Sequence, residues 1–165
     1  MIFISGGLQF ELERIAFPTH PDTEQASYLL VSTLDPDFFK LHGVEESHQK
    51  VANEIAKVSP HEPQMVVCRE LGVDENHLIV GALTFVRKAN PIKRNIISEF
   101  AVREDYRSRG IGSRILEFAE YQMKHDGMRR IRLTPTRAAK SFYQSHDYRI
   151  VAEDKWGFCR MIKNL

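Results

Sequence analysis

The chain has 165 residues, which is the size of one typical domain, and we expect a single domain over residues 1–165. Its 42% hydrophobic residues are enough for a buried core and exclude a disordered chain. Because 23 Lys and Arg balance 22 Asp and Glu, the net charge is only +1, and no overall field favours nucleic acid or an anionic membrane as a partner.

The beginning of the chain does not have the pattern of a targeting segment. Residues 1–7 lack a basic stretch and are too short an apolar run for a signal peptide, and no run approaches the roughly 20 apolar residues that cross a bilayer. Cys68 and Cys159 belong to no CxxC pair, and the seven histidines have no ligand spacing, so we expect no metal. We expect a cytoplasmic protein without membrane contact.

The first part of the chain predicts one strand and two helices. Residues 8–12 alternate apolar and polar side chains, as a strand with one buried face does. Asp22 and Gln25 have the spacing of a capping box, which predicts a helix that ends near Pro36. Spacings of four and three predict a second helix, whose apolar stripe consists of Val44, His48, Val51, Ile55 and Val58.

The middle of the chain predicts three strands. Residues 65–69 and 78–87 are short apolar runs separated by a turn-like segment, and they predict a hairpin. Residues 95–103 predict a further strand, in which Ser98 and Glu99 interrupt the apolar run. Two polar residues inside a central strand indicate a functional role.

The last part predicts two more helices and three more strands. An amphipathic helix over residues 111–126 is followed by a strand over 128–133, a helix over 137–145 and strands over 148–152 and 156–162. A strand, a helix and a strand in succession predict a parallel crossover. The expected fold is α/β (α+β), a mixed sheet with helices on both faces and the order β-α-α-β-β-β-α-β-α-β-β.

A glycine-containing segment lies where the predicted strand ends and the long helix begins. Gly110 and Gly112 lack Cβ atoms, so the backbone there can approach a ligand closely, and the N–H groups at a helix start converge on an anion. Arg107 and Arg109 add positive charge, which suits a pyrophosphate. The spacing excludes a Walker loop and a Rossmann fingerprint.

The combination of Phe100-Ala101-Val102 with Arg107-x-x-Gly110-x-Gly112 resembles the central motif of the GCN5-related N-acetyltransferase (GNAT) superfamily. The predicted order of elements matches that family over essentially the whole chain.

A second family feature lies on the last predicted helix. Ala139-x-x-Phe142-Tyr143 is in register with the family pattern, whereas Thr136 stands where the family often has Asn and Asp147 where it often has Gly. Asp tolerates the left-handed conformation that a glycine would take. The departure at Asp147 therefore leaves the expected fold intact, while Thr136 weakens the assignment of an acceptor class.

The resemblance implies an acyl-CoA-dependent N-acyltransferase that moves an acetyl group from acetyl-CoA to a primary amine, which is a small molecule, a peptide N-terminus or a lysine. It also implies a homodimer through the last strands. Backbone groups of Phe100, Ala101 and Val102 would pair with the pantetheine arm. The residues that would hold the pyrophosphate are Arg107, Ser108, Arg109, Gly110, Ile111, Gly112 and Ser113.

Tyr143 and Glu99 are the candidate catalytic residues. In the family the phenol equivalent to Tyr143 lies near the CoA sulfur, and it would protonate the leaving thiolate. Glu99 lies three residues before Val102, where a carboxylate accepts the amine proton directly or through water, or binds a cationic acceptor. The Val102 N–H would polarise the thioester carbonyl. Ser98 faces the other way if the strand is regular.

The sequence leaves other functions open. One is a non-catalytic acyl-CoA-binding sensor or interaction domain. Another is an effector enzyme that acts on charged tRNA or a host protein, with a basic docking surface made of Arg129, Arg130, Arg132 and Arg137. Phe38 and Phe39, with Asp35 and Asp37 beside them, fall in the connection that covers the acceptor in the family. One hypothesis is that they shape acceptor choice, and the other is that the two Phe side chains simply join the core.

Overall fold

The fold is described from a computed structural model for residues 1–16, 20–32, 64–72, 77–88, 94–155 and 157–165. The strands are β1 (Ile2–Ser5), β2 (Leu8–Ala16), β3 (Gln64–Leu71), β4 (Leu78–Lys88), β5 (Arg94–Val102), β6 (Arg130–Leu133), β7 (Arg149–Glu153) and β8 (Cys159–Asn164). The helices are α1 (Thr23–Ser32), α2 (Ile111–His125) and α3 (Lys140–Gln144), with a 3-10 turn over Glu104–Tyr106.

The eight strands form one mixed sheet in the order β1-β2-β3-β4-β5-β6-β8-β7. All neighbours are antiparallel except β5 and β6, which α2 connects as a parallel pair. One apolar cluster packs α2 on the sheet through residues such as Ile115 and Met123, and a second packs α1 on the sheet through Ala26 and Leu30. The predicted mixed α/β sheet with helices on both faces is confirmed.

The strand β1 is absent from the predicted element order. It pairs with the start of β2 through a two-residue turn, in which Gly6 and Gly7 have φ angles of 58° and 81°. Positive φ at both positions is the conformation that glycine adopts at little cost. Ile2 and Ile4 are 57% and 75% exposed on this edge strand. Because these exposed residues are apolar, the sequence of β1 does not alternate between apolar and polar residues.

Several predicted features differ in extent or lie outside the described residues. The helix predicted over residues 137–145 is shorter, because two turn hydrogen bonds precede α3 at Lys140. The last strand begins at Cys159 rather than at residue 156. The second predicted helix, the end of the first near Pro36, and Phe38 and Phe39 lie outside the described residues.

The pair of parallel strands opens at a β-bulge. The last paired residue of β5 is Ile96, opposite Arg132 of β6. Directly after it, Ile97 pairs with Phe85 of β4 and Glu99 with Thr84, which leaves Ser98 without an opposite residue. A bulge bends its strand and increases the local twist. The remainder of β5 therefore diverges from β6 and leaves a cleft at the carboxyl ends of the two strands.

The helix α2 lies close to β4 at Gly81. A Cβ atom built at Gly81 would lie 2.4 Å from Ile115 Cδ1 and 3.3 Å from the Ala101 carbonyl oxygen. We expect Gly81→Ala to lower the free energy of unfolding by about 1–3 kcal/mol, because the buried Ile115 side chain has to leave its present position. Urea denaturation of the variant measures this loss. Equal stability of the variant and the wild type would contradict the expectation.

Candidate active site

The glycine loop joins β5 to α2 in a strained backbone conformation. Ser108 and Gly110 have φ angles of 61° and 76°, and Gly110 is the N-cap of α2. The first hydrogen bond of the helix runs from the Arg114 N–H to the Gly110 carbonyl. The N–H groups of the three intervening residues therefore point out of the helix start, where the helix dipole favours an anion.

The side chains of the loop divide into structural and exposed groups. Arg107 Nε donates to the Val102 carbonyl at 3.1 Å and thereby ties the loop to the end of β5. The Arg109 guanidinium lies over the Tyr106 ring at 5.2 Å. Ile111 was predicted as part of the pyrophosphate site, but its side chain is 1% exposed and belongs to the core. Only its backbone N–H is available to a ligand.

The backbone of β5 beyond the bulge faces the cleft at alternate residues. The Arg103 N–H donates to the Val80 carbonyl at 2.9 Å, and the backbone of Ala101 faces β4 in the same way. Phe100 and Val102 therefore present their backbone groups to the opposite side, where β6 has ended. Of the three residues expected to bind a pantetheine arm, Phe100 and Val102 are directed into the cleft and Ala101 is directed away from it.

Two aromatic rings connect the cleft with the glycine loop. The rings of Phe100 and Phe142 lie 5.9 Å apart. A Cβ atom at Gly112 would lie 3.6 Å from the Phe142 ring and 3.7 Å from the Phe100 ring, which are ordinary contact distances. The start of α2, the end of β5 and α3 therefore meet at one place.

The side chain of Tyr143 projects from α3 into this region and is 6% exposed. Its ring packs edge-on against Phe142 at 5.2 Å and against Tyr148 at 5.4 Å. The helix is closed by Asp147, whose φ of 66° confirms that Asp takes the left-handed position. Burial raises the pKa of Tyr143, and the nearby charge of Glu99 raises it further. The phenol therefore keeps its proton at neutral pH.

The bulge places Glu99 in a partly buried position near Tyr143. Its backbone N–H donates to the hydroxyl of the buried Thr84 at 3.1 Å. Burial raises the pKa of Glu99 to about 7. Ser98 is exposed. Because it is the bulge residue, the strand is not regular there, and alternation does not determine which way Ser98 faces. The structure thus brings Glu99 and Tyr143, from two distant parts of the sequence, into one electrostatic environment.

The sequence of this region matches a known family. The family model of the acetyltransferase (GNAT) domain matches residues 64–150, which include the cleft strands, the glycine loop and Tyr143. The chain belongs to the GNAT acetyltransferase family. It is accordingly an acyl-CoA-dependent acyltransferase.

Solved GNAT structures have a similar fold at low sequence identity. A GNAT acetyltransferase from Staphylococcus aureus Mu50 is 16% identical with a TM-score of 0.68, over 94% of this chain and 99% of that one. The PaiA N-acetyltransferase from Thermoplasma acidophilum, in complex with coenzyme A, is 19% identical with a TM-score of 0.65 over 94% and 99%. An acetyltransferase from Thermus thermophilus is 21% identical with a TM-score of 0.65 over 94% and 97%. No curated protein matches the sequence significantly.

The described part of this GNAT domain shows neither a cluster of metal-ligand side chains nor a membrane-spanning helix. Within the described residues no group of three or more His, Cys, Asp or Glu side chains is suited to hold a metal ion. None of the helices in the described part of the chain is long and apolar enough to cross a membrane.

Three of the four arginines that were considered as a docking surface in this GNAT domain have interaction partners within the protein. Arg130 Nε donates to Asn164 Oδ1 at 3.2 Å, and the Arg137 guanidinium lies 6.0 Å from the centre of the exposed Phe158 ring. Arg132, which lies in β6, also has an interaction partner.

Three polar residues that no sequence pattern pointed to form hydrogen bonds with residues of the candidate site. Thr84 accepts the Glu99 N–H, Glu70 accepts a short hydrogen bond from the Tyr106 hydroxyl, and Ser5 donates to the loop at Arg109. Their partners lie 15, 36 and 104 residues away in the sequence. No local pattern signals such contacts.

Proposed function

We propose that the protein transfers an acetyl group from acetyl-CoA to a primary amine by direct attack in a ternary complex. The observation that carries this proposal is the cleft between β5 and β6. On one wall the backbone of β5 beyond Ile96 pairs with no residue of β6, at one end lies a helix start with free N–H groups, and Tyr143 lies near Glu99 beside it.

The donor lies along this cleft in the proposal. The backbone of Phe100 pairs with an amide group of the pantetheine arm, as a missing strand would. The Val102 carbonyl already accepts from Arg107 Nε, and the Val102 N–H faces the thioester. The N–H groups at the start of α2 and the charge of Arg109 hold the pyrophosphate. The coenzyme A complex of the Thermoplasma acidophilum protein, which has a similar fold, supports this choice of donor.

Glu99 and Tyr143 supply the two proton transfers. The amine nitrogen attacks the thioester carbonyl carbon while Glu99 takes the proton of the amine, directly or through water. The Val102 N–H stabilises the negative charge on the carbonyl oxygen. When the carbon–sulfur bond breaks, Tyr143 gives its phenolic proton to the thiolate, so that CoA leaves as a neutral thiol.

The two proton transfers are coupled through charge. The negative charge of Glu99 is one of the two causes that raise the pKa of Tyr143. Once Glu99 has accepted the amine proton it is neutral, and that cause disappears. The phenol of Tyr143 thereby becomes more acidic at the stage at which the thiolate needs a proton.

We infer that the acceptor is a primary amine that is an ammonium ion in solution, because the carboxylate of Glu99 beside the cleft attracts it. The ammonium gives its first proton to solvent as it binds, and the neutral amine that results attacks while Glu99 takes the second proton. The acceptor is a small-molecule amine, a peptide N-terminus or a lysine side chain. We place the reaction in the cytoplasm, since both cysteines, Cys68 and Cys159, are free and buried as in a reducing compartment.

The proposal is tested by thiol release from acetyl-CoA with a panel of amines that covers the three acceptor classes. We expect turnover with at least one class and none with alcohols of the same shape. Tight CoA binding without turnover on any amine would instead identify an acyl-CoA-binding domain, and would contradict the proposal.

Two glycine variants separate folding from donor binding. Gly110→Ala places an L-residue at a φ of 76°, which costs about 1–2 kcal/mol and shifts the loop. Gly112→Ala adds a Cβ atom at ordinary contact distance inside a helix, so we expect unchanged or higher stability. We expect both variants to raise the Kd of CoA. For Gly110→Ala we expect a rise of about 10-fold or more, because the strained residue shifts the loop that binds CoA.

Calorimetric titration with CoA and thermal unfolding of the same samples measure the two effects. Wild-type affinity in both variants would show that CoA does not contact this loop. Weaker binding by a fully stable Gly112→Ala protein would indicate that the ligand itself needs the missing Cβ atom.

A further inference from the structure

The N-terminal hairpin of β1 and β2 contacts the glycine loop through a side-chain hydrogen bond. Ser5, the last residue of β1, donates its hydroxyl hydrogen to the Arg109 carbonyl at 2.6 Å. The two residues are 104 positions apart in the sequence. Arg109 lies between Ser108 and Gly110, which both have positive φ. The hairpin therefore contacts the loop at its most strained point.

A strained backbone persists only where its surroundings hold it. A non-glycine residue in the left-handed region, such as Ser108, costs about 1–2 kcal/mol. The part of the loop before Ser108 is held by other contacts: Arg107 donates to the Val102 carbonyl, and Tyr106 packs edge-on against Phe10 of the hairpin at 6.2 Å and donates its hydroxyl to the buried Glu70. These contacts fix the part of the loop before Ser108. The Arg109–Gly110 peptide is held instead by the hydrogen bond from Ser5.

The orientation of that peptide decides where an N–H group points. In a trans peptide the carbonyl of Arg109 and the N–H of Gly110 lie in the same plane and point in opposite directions. When Ser5 holds the carbonyl on the hairpin side, the Gly110 N–H is directed the opposite way, away from the hairpin. Gly110 is followed by the three residues whose N–H groups are free at the start of α2.

We propose that Ser5 is a positioning residue for the donor site, which sets the Arg109–Gly110 peptide so that the Gly110 N–H joins those of the helix start in binding the pyrophosphate. The proposal rests on the proposed function, in which this loop binds CoA. Ser5 does not touch the donor in it. The strand β1 and its Gly6-Gly7 turn carry the hydroxyl to the loop.

Replacing Ser5 by Ala tests this role. We expect the Kd of CoA and the KM of acetyl-CoA to rise about five-fold, the factor that corresponds to one typical intramolecular hydrogen bond. The kcat at saturating donor and the KM of the amine are expected to stay at wild-type values. Ser5→Thr keeps a hydroxyl at the same position and is expected to restore the Kd to within about two-fold.

Ser145→Ala is the matched control. Its hydroxyl donates to the Phe142 carbonyl at 2.7 Å, which is an exposed hydrogen bond of the same kind within α3 rather than at the loop. We expect the Kd of CoA to be unchanged in this variant. A five-fold effect in the control as well would assign the result to general destabilisation and overturn the proposal.

Hydrogen exchange of the loop amides without CoA keeps this test independent of the proposed function. We expect exchange at residues 108–113 to be about five-fold faster in Ser5→Ala than in the wild type. A wild type that binds no CoA would overturn the proposed function, while the exchange rates would still decide whether Ser5 holds the loop. Unchanged exchange and unchanged Kd in a folded Ser5→Ala protein would overturn the positioning role.

Discussion

Glu99→Gln is expected to lower kcat/KM for the amine by about 100-fold to 10,000-fold and to remove its dependence on pH near neutrality. Burial raises the pKa of Glu99 to about 7, so wild-type activity should increase as the pH rises from 6 to 8 and the carboxyl group loses its proton. Gln has the same shape and cannot accept the proton. Initial rates across this pH range with saturating acetyl-CoA measure both effects.

The same replacement is expected to change stability in a pH-dependent way. Because the pKa of Glu99 is about 7 in the folded protein and its ordinary value is 4.5, the folded state binds the proton more tightly. The stabilising contribution is fully present below pH 4.5 and is lost as the pH rises through 7, by up to about 3 kcal/mol. We therefore expect Glu99→Gln to be more stable than the wild type at pH 8 and similar to it at pH 4.

Urea denaturation at the two pH values provides the comparison, with Glu117→Gln as the control. Glu117 is an exposed carboxylate on α2 that pairs with Arg114 at 3.3 Å. Its replacement should alter stability by less than about 1 kcal/mol at either pH. If the activity of Glu99→Gln had the same pH profile as that of the wild type, Glu99 would not be the base.

Tyr143→Phe is expected to lower kcat by about 100-fold or more and to leave the Kd of CoA unchanged, because the phenol acts on the leaving thiolate rather than in binding. The ring contacts with Phe142 and Tyr148 remain in the variant. The stability of the protein should therefore be close to that of the wild type. Single-turnover kinetics with saturating donor and amine measure the rate of the chemical step.

Tyr148→Phe is the matched control for this experiment. Tyr148 is also buried beside α3, and its hydroxyl lies near the carboxylate of Glu120 on α2. Its loss should leave kcat within about two-fold of the wild type, since the proposal gives this hydroxyl no part in the proton transfers. Equal losses in the two variants would mean that the rate reports on packing, and an undiminished kcat in Tyr143→Phe would exclude the phenol as the acid.

Much of the fold is readable from local patterns. The strands around residues 8–12 and 95–103, the hairpin between them and the amphipathic helix α2 all follow from apolar periodicity. The strand β1 does not, because its exposed residues Ile2 and Ile4 are as apolar as the half-buried Phe3 between them, so the sequence shows no alternation of apolar and polar residues. Its Gly6-Gly7 turn was the available signal.

The site is readable in part. The glycine loop, Glu99 and Tyr143 follow from spacing and from the resemblance, since each lies on a recognisable element. The bulge at Ser98 and the contact from Ser5 to Arg109 depend on which strands become neighbours. Such contacts join residues that no local pattern relates, so they are seen only in the folded chain.

The bulge at Ser98 has a consequence for how such a site changes over evolution. The opening between β5 and β6 begins where one extra backbone unit enters β5, and not where side chains leave a cavity. Substitution of one amino acid for another leaves that backbone unit in place, so we expect the cleft to persist through such changes. The gain or loss of a single codon, by contrast, would alter the path of β5 and with it the cleft in which we propose that the donor binds. The cleft is therefore robust to point mutation and sensitive to changes in chain length.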